Sequence, residues 1–134
     1  MSNLLAMPLV ELQVETSNNE DWVDSIVYLV NTGDDPPPEL DIRGITFDME
    51  IRRSATDHEV LLSASTANGT LSIGVPPDFG YFLFNVPVQQ MQNLIAGVYI
   101  GDITGRDGVH TRQVAKVQLT IVQGITIQPV VTGA

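Results

Sequence analysis

The sequence has no cysteine among its 134 residues, so it carries no disulfide framework, no thiolate nucleophile and no sulfur ligand for a metal. Lysine occurs once, at Lys116, and six basic residues face sixteen acidic ones for a formal net charge of -10. Such a charge repels a phosphate backbone, which argues against nucleic acid as a partner. Charged residues make up only 16% of the chain, against roughly 25% in average soluble domains. The longest charge-free stretch, residues 79–101, is broken by Pro87 and by the amides Asn85, Gln89, Gln90, Gln92 and Asn93. No membrane span is expected there. The first residues lack the basic start and long apolar run of a secretion signal, so the sequence predicts a soluble protein with no membrane partner.

Valine, isoleucine and threonine together supply 38 residues, which favours strands over helices. The length suits one domain that buries roughly two thirds of its unfolded surface. Over residues 45–52 every odd position is apolar and every even one polar, the mark of a half-buried strand with Ile45, Phe47, Met49 and Ile51 inward. Leu40 and Ile42 have the opposite parity, so a bend near Gly44 would bring both sets to one face. Val10, Leu12 and Val14 alternate with Glu11, Gln13 and Glu15 in the same way, whereas residues 25–30 are apolar on both parities and predict a strand covered on both faces.

Asn68-Gly69 between residues 59–66 and 70–75 predicts a hairpin, because that pair supplies the positive φ of tight turns. Residues 81–86 form a dense aromatic strand that Pro87 ends. Val88, Met91, Leu94 and Ile95 have helical spacing over no more than two turns, with Gly97 as a C-cap. A second hairpin joins residues 98–104 to 109–122 through Gly105-Arg106-Asp107-Gly108, and the proline-rich loop 31–39 excludes a strand. The pattern predicts an all-β, immunoglobulin-like β-sandwich of about seven or eight strands with one short helical turn.

The chemistry-bearing residues are few. No nucleophile elbow occurs, and His58 and His110 fall in separate turns, which reads as solvated histidine rather than catalysis. Asp48 and Glu50 share an outward strand face, where Arg52 and Arg53 can balance them as an ordinary charged exterior. Glu20, Asp21 and Asp24, and Asp34, Asp35, Glu39 and Asp41, could offer oxygen ligands to calcium, but neither set matches an EF-hand loop and solvated acidic loops are the expectation. Trp22, Tyr28, Tyr81 and Tyr99 could form a sugar platform, although strand aromatics are usually core. No catalytic residue, metal site or cofactor is therefore expected.

The ends are more informative. No charge precedes Glu11 and none follows Lys116, yet the first segment carries Leu4, Leu5, Met7 and Leu9 and the last carries Ile125, Ile127, Val130 and Val131. Free tails are normally polar. The chain therefore divides into an apolar arm at residues 1–10, a sandwich at 11–122 and a second apolar arm at 123–134. Leu4, Leu5, Met7, Ile125, Ile127, Val130 and Val131 are the candidate protein-interaction residues.

Leu40-Asp41-Ile42-Arg43-Gly44 leads into Phe47-Asp48-Met49-Glu50-Ile51-Arg52-Arg53, and Ser65-Thr66-Ala67-Asn68-Gly69-Thr70 follows. Ala96-Gly97-Val98-Tyr99-Ile100-Gly101-Asp102-Ile103, Asp107-Gly108 and residues 117–126 continue the pattern. This run resembles small virion proteins of tailed bacteriophages and prophages, and the N-terminal immunoglobulin-like domain of phage baseplate upper proteins. Ile42-Arg43 stands where those proteins have Leu-Thr, and Gln89-Gln90-Met91-Gln92-Asn93 replaces an alanine-rich turn. The resemblance implies a non-enzymatic adaptor of tail, baseplate or neck, resident in the virion and oligomeric there, with copies of itself and other virion proteins as partners. Capsid decoration and carbohydrate-binding host recognition are the alternatives.

Overall fold

A computed structural model describes residues 2–126. Eight strands form two sheets: β1 (Val10–Ser17), β2 (Trp22–Val27), β3 (Thr46–Arg52), β4 (Leu62–Ser65), β5 (Leu71–Ile73), β6 (Tyr81–Val86), β7 (Gly97–Arg106) and β8 (Thr111–Val122). The larger sheet has the order β1-β8-β7-β3-β4 and the smaller β2-β6-β5. The chain is thus an all-β, immunoglobulin-like β-sandwich. All described neighbours pair antiparallel except β1 and β8, which run parallel from Val10 opposite Ala115 to Ser17 opposite Val122.

Period-2 patterning determines which side chains meet between the sheets. Phe47, Met49 and Ile51 of β3 are fully buried, with Ile45 just before them, as the alternation predicts. Gly44 adopts φ +81°, which turns the chain so that Ile42 is buried too. From β6, Phe82 stands edge-on to Phe47 with ring centroids 4.7 Å apart, and Phe84 stacks on Trp22 at 5.2 Å. Ala115, Val117, Leu119 and Ile121 of β8 face inward, and Val114 is buried as well because a bulge opposite Ile103/Thr104 shifts the register there.

The corner before β7 has a feature common in immunoglobulin-like sandwiches: the buried Tyr99 donates its hydroxyl to the carbonyl of Ile95. The one-turn helix α1 (Val88–Met91) lies between β6 and β7 and buries Met91, with Leu94 buried just beyond it. Gly97 opens β7 instead of capping that turn. A second helical turn, a 3₁₀ segment at Leu4–Ala6, has no counterpart in the sequence pattern.

Two strand expectations are corrected. The Asn68-Gly69 turn does not join a hairpin, because β4 pairs with β3 in one sheet while β5 pairs with β6 in the other. Gly69 has the expected positive φ, at +82°, but the turn carries the chain across the sandwich so that Leu62 and Ala64 face the core from one side and Leu71 from the other. The buried Thr70 ties the crossing: its hydroxyl accepts from the Ser65 N–H at 2.9 Å and its carbonyl accepts from Asn85. Nor is β2 covered on both faces. Trp22 and, just past the strand, Tyr28 point into the core, while Val23, Val27 and Leu29 are exposed.

Candidate interaction surfaces

The outer face of the larger sheet carries a row of charged residues together with exposed apolar side chains, Val98, Ile100 and Val122. Glu11 lies opposite Lys116, Lys116 opposite Asp102, and Asp102 opposite Glu50. Glu50 accepts from Arg52 at 2.7 Å, Asp48 is paired with Arg106, and Asp102 accepts from Gln113 at 3.1 Å. Glu11, Glu50, Arg52, Asp102, Gln113 and Lys116 line an open groove of about 620 Å³. Arg53, expected to balance the carboxylates, instead lies over the Tyr99 ring at 5.5 Å. Asp48 and Glu50 therefore serve exposed ion pairs, and His58 and His110 are exposed on separate turns.

The acidic loops are likewise divided among separate partners. Glu20 accepts from the Thr16 hydroxyl and the Ser17 N–H, Asp21 from the Val88 N–H and Asp24 from the Ser25 N–H. The Ser17 and Thr16 hydrogen bonds hold the Glu20 carboxyl below its usual range. Asp34 accepts from Thr32, Glu39 from the Gly80 N–H, and Asp41 from Arg43, whose guanidinium and N–H hold the Asp41 pKa down to about 2. No cluster of three or more acidic, histidine or cysteine side chains fit to hold a metal occurs among the described residues. Trp22, Tyr28 and Tyr99 are buried and Tyr81 half-buried, so these four present no open platform to a sugar.

The N-terminal arm belongs to its own sandwich. Leu4 and Met7 are 0% and 1% exposed, which removes them as partner contacts, while Leu5 at 56% stays accessible. Space for Leu4 comes from Gly105, where a Cβ would stand 2.8 Å from Leu4 Cδ1 and 3.2 Å from Ile45 Cγ2. Hydrogen bonds fasten the arm from both sides: Ser2 donates to Asp107 at 2.6 Å and Asn3 to the Asp41 carbonyl at 2.8 Å.

The described part of the other arm is fastened at a defined place. Asn18, buried in the turn between β1 and β2, accepts from the Gly124 N–H at 2.8 Å and donates to the Leu94 carbonyl at 2.9 Å. Asn19 donates to the Thr126 carbonyl at 3.0 Å. Ile125 between them is 95% exposed. Ile127, Val130 and Val131 lie outside the described residues.

The apolar feature that the sequence pattern does not disclose is the outer side of β2. Val23 is 68% exposed, Val27 40% and Leu29 52%, on one parity with Ser25 between them. Next to this row on β6 come the half-buried Tyr81 and Leu83, so this side of the small sheet bears no charge along either strand. The usable signal is in Trp22, Ile26 and Tyr28, whose shared parity marks the inward side and leaves the valines outside.

No family model matches the chain, and no curated protein does. Among solved structures, the crystal structure of CopC from Methylosinus trichosporium OB3b aligns over 89% of this chain and 90% of that one, at 11% identity and a TM-score of 0.42. A likeness at that level carries no argument about ligand, activity or partner.

Proposed function

We propose that this chain is a non-enzymatic structural module of a tailed-bacteriophage particle, an adaptor in tail, baseplate or neck that works by protein–protein contact. The observation that carries this reading is an uncharged apolar row on an acidic protein: Asp48 and Glu50 of the larger sheet are held in ion pairs, while Val23, Val27, Leu29 and Ile125 are exposed. Exposed apolar rows on a small acidic protein favour association, because covering them releases water at roughly 25 cal/mol per Å². The sequence resemblance supplies the setting in the virion.

The test uses purified particles carrying variants of the chain. Alanine at His58, His110, Asp48 or Glu50 leaves infectivity unchanged under this reading, since none of them does chemistry. Lysine at Val23, which is largely solvent-exposed and outside the core, lowers incorporation. A specific loss of infectivity from one of the alanine variants in normally assembled particles, or absence of the chain from particles, overturns it.

A further inference from the structure

We infer that the free edge of β2 accepts the C-terminal segment, residues 127–134, of a second copy of this chain as an added strand. The inference rests on the assembly reading above and names the contact through which copies join. Four edges are available in the two sheets, those of β1, β4, β2 and β5. β1 presents Glu11 and Glu15, and β4 and β5 are only four and three residues long, so charge or shortness discourages pairing at these three. β2 is six residues long, no strand lies beyond it among the described residues, and its outer parity reads Val23, Ser25, Val27.

The donor is argued from where the described chain stops and what remains. Asn18 and Asn19 hold Gly124 and Thr126 beside the turn that begins β2, so the segment that follows Thr126 is tethered at that end of the strand. At about 3.3 Å per residue its eight residues span some 26 Å when extended, enough to match the whole of β2. They are uncharged, and Ile125, Ile127 and Val131 share one parity, the pattern that would lie against Val23 and Val27. Pro129 is tolerated in a strand that becomes the new edge, where its missing N–H faces solvent.

Direction selects a second copy over the chain's own edge. A segment starting at the head of β2 can run along its own β2 only parallel to it, whereas one arriving from another molecule is free to enter antiparallel, the slightly more stable pairing. Asp24 has the inward parity of β2 yet is exposed, and an inward charge on an edge limits pairing with unrelated strands.

Sedimentation velocity over a concentration series on the full chain, on a chain ending at Thr126 and on full-length Val27→Lys tests the idea. Full-length protein should self-associate, and both altered chains should be monomeric, the truncated one retaining the thermal midpoint that the full chain shows at dilutions where it too is monomeric. Val23→Lys, at a more exposed position, repeats the acceptor test should Val27→Lys fold poorly. Mixing the truncated chain, which keeps its edge, with the lysine variant, which keeps its tail, should restore a heterodimer. A full-length chain that stays monomeric throughout the series, association that survives truncation, failure of the mixture to pair, or a truncated chain that melts below the dissociated full chain overturns the inference. A monomer that still enters particles leaves the assembly reading standing, and an oligomer absent from particles overturns that reading alone.

Discussion

Leu4 and Gly105 act as a pair, one filling the space the other leaves. Because Leu4 is fully buried, Leu4→Ala should cost about 2–5 kcal/mol in urea unfolding of the isolated chain. An arm that docked only on a partner would show no such loss. Gly101 on the inner side of β7 is more tightly enclosed, since a Cβ there would run into the Glu50 carbonyl and stand 2.5 Å from Ile51 Cδ1. Backbone cannot yield as a side chain can, so Gly101→Ala should destabilise by about 1–3 kcal/mol, read as a lower denaturation midpoint at unchanged slope. Single residues also mark a limit of what sequence can say. The absence of charge before Glu11 identifies an apolar arm, but the same composition suits a partner's surface and the chain's own core equally well. What decides between them is the space over Gly105, a property of the folded sheet.

Among the elements, the turn from β7 to β8 shows how a loop can hold two parts of the fold together. Asp107 accepts from the Ser2 hydroxyl and from the N–H groups of His110 and Val109, and these bonds hold its pKa down to about 2 from 3.8. A carboxyl with a depressed folded pKa contributes stability that is complete above its unfolded value and lost as pH falls towards the folded one. Stability should therefore fall between about pH 4 and 2. Asp107→Asn should flatten the slope in that window without abolishing it, because Asp41 titrates over the same range; denaturant midpoints measured across pH 2 to 5 check this. The strand β3 is legible in the sequence itself because a polar residue, Thr46, Asp48, Glu50 or Arg52, stands at every second position. β2 is not, because its outward residues are as apolar as its inward ones, and periodicity loses contrast where the outer face stays apolar. The Asn68-Gly69 pair correctly indicates local geometry and wrongly suggests a hairpin, since positive φ specifies how the chain bends and not which sheet receives it.

Over the whole molecule, β1 and β8 are the outermost strands along the described chain, and they lie side by side and parallel over eight residue pairs. β1 enters the ladder at Val10 opposite Ala115, and β8 leaves it at Val122 opposite Ser17, so the two departures are at opposite ends. A pull applied through the flanking segments loads every bond of that ladder together, in shear, whereas a pull from one end would open the bonds in turn. Tension applied between those flanking segments would thus meet its greatest resistance where the first and last described strands join. Optical-trap handles at Leu9 and Gln123 should give a markedly higher unfolding force than handles at Leu9 and Thr111, which lie at the same end of the ladder and peel it. Equal forces in the two geometries would remove the mechanical role. The parallel pairing that closes the larger sheet is also, in mechanical terms, a clamp.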